Sequence, residues 1–85
     1  MNVTIKYFAS LREKLNLTEE KIDLPMGIHN GEQLKQFLSS RGEVWQQVFN
    51  STQTIQIAIN QLRASWQDDF SENDEIALFP PVTGG

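Results

Sequence analysis

The sequence predicts an α+β fold in which a mixed β-sheet wraps around one main helix. Apolar and polar side chains alternate with a period of two near both ends of the chain, which is typical of strands with one buried face. Between them, an apolar stripe at helical spacing follows a capping residue. A chain of 85 residues suffices for one domain, which we place at residues 1–81, with a flexible tail at 82–85.

The first two elements are read from a change of period. Val3, Ile5 and Tyr7 alternate with polar residues and predict an opening strand. Ser10 and Glu13 then stand at the spacing of a capping box, so a short helix is predicted to begin near Ser10.

The next strand and the main helix follow. Alternation returns from Glu20 to Leu24, and Pro25 ends that strand. Asn30 is a good N-cap with Gln33 at the reciprocal position, and Gly42 is predicted to stop the helix. The apolar stripe of this helix consists of Leu34, Phe37 and Leu38.

The second half of the chain contains one more helix and three strands. Apolar pairs four residues apart predict a short helix, and the three isoleucines after it alternate with other residues as in a strand. The predicted elements are a helix at Glu43–Phe49, a strand at 55–59, a turn at Asn60 and Gln61, a brief strand at Leu62–Ala64 and a last strand at Glu75–Phe79.

Composition excludes several classes of function. Seven Lys and Arg against eleven Asp and Glu give a formal net charge of -4, which argues against nucleic-acid binding. Without cysteine, disulfides, thiolate metal sites and cysteine nucleophiles are excluded, and any sulfur chemistry must use sulfur from elsewhere. The first residues resemble neither a signal peptide nor a membrane span, so we expect a cytoplasmic protein without membrane contact.

The interior offers little for catalysis. His29 is the only histidine and has no nucleophile or second metal ligand near it in sequence, so we interpret it as a loop residue and expect no metal site. Five carboxylates at 68–75 could form a calcium loop or a solvated turn that attracts a basic partner. The second interpretation is favoured because the EF-hand spacing is missing.

The C-terminal residues carry the strongest candidate for chemistry. Pro80 and Pro81 cannot continue a central strand, so the chain is expected to leave the sheet in an extended form. The tail beyond them consists of Val82, Thr83, Gly84 and Gly85. Two residues without side chains could thread a narrow channel and leave the terminal carbonyl of Gly85 open to attack.

A tail built for delivery implies activation of its carboxylate. Carboxylates are poor acyl donors, so an enzyme that uses ATP would have to form an acyl-adenylate on Gly85. Sulfur supplied by another protein could then displace the adenylate and leave a thiocarboxylate. The alternative is an idle, frayed terminus, which is common in proteins.

The ending resembles one family closely. The run from Glu75 to Gly85, with Phe-Pro-Pro-Val-Thr-Gly-Gly at its end, is similar to the last strand and tail of molybdopterin synthase small subunits. The segments 8–13 and 58–61 also resemble that family, and residues 27–54 match by pattern alone. The resemblance implies the β-grasp fold of ubiquitin, including its sheet order.

The resemblance also implies a reaction cycle. An adenylyltransferase related to ubiquitin-activating proteins would charge Gly85 with ATP, and a sulfur donor protein would supply the sulfur of a covalent thiocarboxylate. The tail would then enter the large synthase subunit and donate sulfur to cyclic pyranopterin monophosphate, with two carriers per dithiolene. The chain would be a co-substrate with no bound cofactor, because the pocket belongs to the large subunit.

Four residues are candidates for the surface that docks on the large subunit: Phe8, Arg12, Leu62 and Phe79. Alternation places Phe79 on the sheet face opposite Ile76 and Leu78, so one face needs another cover. The alternative is that Phe8, Leu62 and Phe79 pack in the core, and for Leu62 the two interpretations are equal. Arg63 departs from the apolar or small residue expected there.

Three rival functions stay open. Another β-grasp sulfur carrier, serving thiazole or cysteine synthesis, would share the activation chemistry, although the Pro-Pro-Val-Thr run favours the molybdopterin route. A protein modifier joined to lysines would need the same free Gly-Gly. A plain interaction domain would have an idle tail.

Overall fold

A computed structural model describes residues 1–50 and 54–81 of the chain. Within these residues, five strands and three helices form an α+β fold. In chain order they are β1 (Asn2–Tyr7), α1 (Ala9–Leu15), β2 (Glu19–Asp23), α2 (Gly31–Ser39), α3 (Glu43–Phe49), β3 (Gln56–Ile59), β4 (Leu62–Ala64) and β5 (Glu75–Phe79).

The strands form one mixed sheet in the order β2-β1-β5-β3-β4. The first and last strands pair in parallel at its centre, with Ile5 opposite Ile76 and Tyr7 opposite Leu78. All other pairs are antiparallel. The last strand, β5, is the middle strand of the sheet, so the chain leaves the sheet from its centre.

One face of the sheet forms the core. Ile5 and Ile76 are fully buried there, and Leu34 and Leu38 of α2 are equally buried against them in the same cluster. Leu11 of α1 joins this cluster, together with Val48 and Phe49 of α3. The helices therefore cover a single face, as the prediction of a sheet around a main helix requires. No helix in the described part of the chain is long and apolar enough to cross a membrane.

α1 begins one residue before the predicted Ser10, but without the predicted cap. The helix begins at Ala9 with Phe8 as its N-cap, and no side chain caps it, so the capping box at Ser10 and Glu13 is wrong. The backbone N–H of Phe8 donates to the Leu78 carbonyl at 3.1 Å, which holds Phe8 extended beside β5. The chain then turns at once, through a left-handed Ala9, and Ser10 already lies inside the helix with a buried hydroxyl.

The main helix begins as predicted and ends earlier. The Asn30 side chain accepts from the Gln33 N–H at 3.0 Å, whereas the Gln33 side chain accepts from His29 rather than from Asn30 itself. Gly42 does not stop α2, because the helix already ends at Ser39 with Ser40 as its C-cap. The Ser40 hydroxyl donates to the Phe37 carbonyl at 2.7 Å and satisfies one of the last carbonyls.

The hairpin of β3 and β4 agrees with the prediction. Asn60 and Gln61 both have positive φ, at 51° and 69°, as a two-residue type I′ turn requires. Asn60 is anchored to β5, because its side-chain oxygen accepts from the Glu75 N–H at 2.9 Å. This turn sets which residues of β4 face each side of the sheet.

A partly buried ionic cluster joins β1, β2 and the α2–α3 connection. Glu20 accepts hydrogen bonds from the Tyr7 hydroxyl at 2.8 Å and from two nitrogens of Arg41 at 2.8 and 3.1 Å. The guanidinium also stacks on Trp45, 4.4 Å from the ring centroid. Burial tends to raise the pKa of Glu20, but the hydrogen bonds from Arg41 and Tyr7 outweigh it and hold that pKa below its usual value.

This cluster predicts a stability that depends on pH in the acid range. A carboxyl whose pKa is lower in the folded protein stabilises it above the unfolded pKa, about 4.3, and the contribution disappears as pH falls through the folded value. Glu20→Gln should therefore cost about 1–2 kcal/mol at pH 7 and much less near pH 3. Urea unfolding at both pH values checks this, and an equal cost at both would contradict it.

Candidate functional site: a docking face and the exit of the tail

The side of the sheet away from the helices is the candidate docking surface, and we call its part around β5, without the edge strand β2, the outer face. Alternation along paired strands places every second side chain there. Its members are Thr4 and Lys6 of β1, Glu75, Ala77 and Phe79 of β5, Gln56 and Ala58 of β3, and Arg63 of β4. Among the described residues, the helices pack on the other side of the sheet; Ala58 and Ala77 are buried between their neighbours here, and Phe79 is partly exposed.

Phe8 and Phe79 come together at the tail end of this face. The bond from Phe8 N–H to the Leu78 carbonyl fixes Phe8 beside the end of β5. Both rings line an open groove of about 450 Å³, whose other walls are Lys6, Gln61, Glu75 and Ala77. Phe8 is 44% exposed, so the alternative that it packs in the core is wrong. Phe79 is partly buried. An exposed aromatic ring beside a groove is typical of a docking surface.

The polar rim of the groove is internally neutral. Lys6 Nζ lies 3.0 Å from Glu75 Oε1, across the parallel pair of central strands. The hydrogen bond to Glu75 and the charge of that carboxylate raise the pKa of Lys6, so the amine stays protonated. Because these two charges neutralise each other, a partner would mainly contact the apolar residues of the groove, Phe8, Ala77 and Phe79.

The tail leaves the sheet next to this groove. Phe79 is the last residue of β5, and Pro80 and Pro81 follow it outside any strand, as predicted from their missing N–H groups. The tail residues Val82, Thr83, Gly84 and Gly85 lie outside the described residues. A partner seated on the groove would stand where the tail departs.

The other two candidate docking residues lie elsewhere. Leu62 pairs with Ile59, which pairs with Ile76 of the core side, so Leu62 points to the side of the helices at the open edge of the sheet. It is 73% exposed, and core packing is excluded. Arg12 is exposed on α1, one turn after Phe8. The structure therefore groups Phe8 with Phe79 and separates Leu62 from them.

Four groove residues were missed in the sequence. Lys6, Glu75 and Ala77 share the face of Phe79 by simple alternation, which would have identified them. Gln61 enters the groove because of the positive φ of its turn, and only the turn type predicts that direction.

The rest of the described chain is poor in reactive groups. His29 lies in the loop before α2, where its Nδ1 is 3.1 Å from Asp69 Oδ1 on the surface. Within residues 1–50 and 54–81 no three potential metal ligands of the His, Cys, Asp or Glu type cluster together.

The carboxylates of the acidic segment stabilise local backbone. Asp68 accepts from the Ser65 N–H at 2.9 Å, and Asp74 accepts from the Ser71 N–H at 2.8 Å. Glu72 accepts from the N–H of Asn2 at 2.8 Å and ties this segment to β1. These bonds agree with the interpretation of the segment as a turn.

Comparison with known proteins fits this arrangement. The sequence model of the ThiS family matches residues 5–85. The chain belongs to the ThiS family. It is also 31% identical over 85 residues to a molybdopterin synthase sulfur carrier subunit of Escherichia coli, covering 98% of this chain and 99% of that protein. The family resemblance inferred from the tail is thereby confirmed.

Solved structures of related proteins confirm the ubiquitin-like β-grasp fold. The small archaeal modifier protein 1 of Haloferax volcanii is 26% identical with a TM-score of 0.65, covering 95% of this chain and 98% of its own. A subunit of the complex of subunits 1 and 2 of the molybdopterin-converting factor from Helicobacter pylori shares the fold, with 22% identity, full coverage of both chains and a TM-score of 0.65.

Proposed function

We propose that this member of the ThiS family is the sulfur carrier subunit of molybdopterin synthase and that the C-terminal carboxylate of Gly85 is its working group. The observation that carries the proposal is the ending, an apolar strand followed by Pro80, Pro81, Val82, Thr83 and Gly-Gly in the sequence, with the end of that strand at a groove lined by Phe8 and Phe79. The name of the Escherichia coli relative supports it.

The proposed cycle has two steps on the carrier and runs in the cytoplasm. The Gly85 carboxylate attacks the α-phosphate of ATP on an adenylyltransferase, which forms an acyl-adenylate and releases pyrophosphate. Sulfide carried by a donor protein then attacks the acyl carbon and expels AMP, leaving a thiocarboxylate. The sulfur must come from another protein because the chain contains no cysteine.

In the last step the large synthase subunit supplies the catalytic pocket. The tail delivers its sulfur there to cyclic pyranopterin monophosphate, and two carriers serve each dithiolene. We propose that the groove of Phe8 and Phe79 docks on that subunit, since it is apolar, uncovered and adjacent to the exit of the tail. The Helicobacter pylori complex of subunits 1 and 2 supports a partner of this kind. Arg12 and Leu62 stay predictions as docking residues.

A second candidate is a protein modifier joined to lysines through Gly85. The likeness to an archaeal protein named a modifier favours it. Activation by an adenylyltransferase would be shared, and the acceptor would differ. Conjugates that contain this chain in cell extract would support the modifier function.

The intact mass of the protein tests the carrier function. The chain is incubated with ATP, a sulfur source and an extract containing the adenylyltransferase, beside a chain that lacks Gly85. We expect a mass gain equal to the replacement of one oxygen by sulfur in the complete chain alone. No gain, in an extract that is active on a known carrier, would overturn the proposal.

A further inference from the structure

Arg63 occupies the outer face where the sequence led us to expect an apolar or small residue. It pairs with Ala58 of β3, and Ala58 pairs with Ala77 of β5, so the three side chains share one side of the sheet. Leu62, its neighbour, points to the opposite side. Of these two β4 residues, Arg63 is therefore the one that continues the groove surface.

A hydrogen bond to an uncharged side chain holds the guanidinium of Arg63 near the aromatic end of the face. Its Nη2 donates to Gln56 Oε1 at 2.8 Å, and Gln56 lies opposite Phe79 in the strand register. The head of Arg63 is thus placed on the Phe79 side of the face. One bond to an amide leaves other donors of the guanidinium fork open to a carboxylate.

The charge of Arg63 is not balanced within its surroundings. Lys6 and Glu75, the other charged residues of the outer face, neutralise each other at 3.0 Å. Among the described residues, no carboxylate is paired with Arg63 within 4.0 Å. In a chain with eleven acidic and seven basic residues, general solubility does not require a cation on this apolar surface.

We propose that Arg63 is a docking residue and that it pairs with a carboxylate on the partner that covers the outer face. This inference rests on the proposed function and specifies the chemistry of the large subunit, namely an apolar patch for Phe8 and Phe79 with an acidic side chain on the β4 side. The Gln56 hydrogen bond holds the fork in place before the partner arrives, which lowers the entropy lost on binding.

Arg63 also lies on an edge strand. The alternative role of its charge is to prevent this edge from pairing with other chains. That role predicts association of the variant with itself and no change in affinity for the partner. Docking predicts the reverse, together with a loss of salt dependence, because the attraction between opposite charges is screened by ions.

The experiment measures the affinity of the full chain for the large synthase subunit of the same organism at low and high salt. Arg63→Gln should weaken binding about tenfold at low salt and less at high salt, and Arg63→Glu should weaken it further. Lys35→Gln removes the same charge from α2, on the covered side of the sheet, and should leave the affinity unchanged. Light scattering and thermal unfolding check that each variant stays monomeric and folded.

The outcomes separate the inference from the proposed function. If the wild-type chain does not bind the large subunit, both are overturned. If the wild type binds and Arg63→Gln binds equally well, or if Arg63→Gln only associates with itself, the carboxylate contact is wrong and the proposed function stands. If Leu62→Ser weakens binding and Arg63→Gln does not, the docking contact belongs to Leu62, as first predicted.

Discussion

A variant with one alanine added after Gly85 is expected to lose sulfur transfer completely while it keeps its fold and its affinity for the large subunit. The added residue moves the carboxylate by about 3.5 Å and puts a methyl group where a side-chain-free residue is proposed to enter the pockets. The proposed chemistry acts on one carbon, and a displacement of this size removes that carbon from reach of the catalytic groups.

Mass spectrometry and a binding assay together check this prediction. The extended chain should gain no sulfur under conditions that convert the wild type, and its dissociation constant for the large subunit should change less than about threefold. Retained thiocarboxylate formation would mean that the terminal carboxylate need not belong to Gly85, and the prediction would be wrong. Loss of binding as well would mean that the tail, rather than the groove, carries the affinity.

The site could be predicted from the sequence as far as local patterns determine it. Pro80 and Pro81 end the last strand because proline has no backbone N–H to donate, and the alternation of β5 fixes the face of Phe79. The face of Leu62 depends on the pairing of β4 with β3, which is a contact between distinct segments. Strand period alone cannot supply that register, so Leu62 was grouped with residues of the other face.

In the fold, too, features set by local patterns were predicted, whereas features set by contacts between distant segments were not. Strands with clear alternation lie within one residue of their predicted bounds, and β5 agrees to the residue. The capping box at Ser10 failed because a tertiary hydrogen bond, from Phe8 to Leu78 of a strand far along the chain, fixes where α1 begins. Gly42 was taken for a helix stop, whereas it is the residue that precedes α3. The local capping signal of Asn30 therefore held, whereas that of Ser10 was overridden by a hydrogen bond to the sheet.

Gly31→Ala is expected to destabilise the protein by about 2 kcal/mol, even though alanine favours helices. A Cβ on Gly31 would lie 2.7 Å from the Trp66 carbonyl oxygen and 2.9 Å from Cε3 of its ring. That carbonyl accepts from the Glu32 N–H at 2.9 Å, and the Trp66 indole donates to the Ile55 carbonyl at 2.9 Å. Trp66 is therefore held at both ends, and relief of the clash must break one of these bonds.

Gly42→Ala provides the matched control, because the same added methyl group would meet only Cδ1 of Trp45 at 3.6 Å, an ordinary contact. We expect Gly42→Ala to change the free energy of unfolding by about 1 kcal/mol or less. Gly31→Ala should lower the melting temperature by about 10 °C. Thermal unfolding followed by circular dichroism compares the two. Equal stability of both variants would mean that the Trp66 loop moves away at little cost, and the close packing of this loop on α2 would then contribute little to the fold.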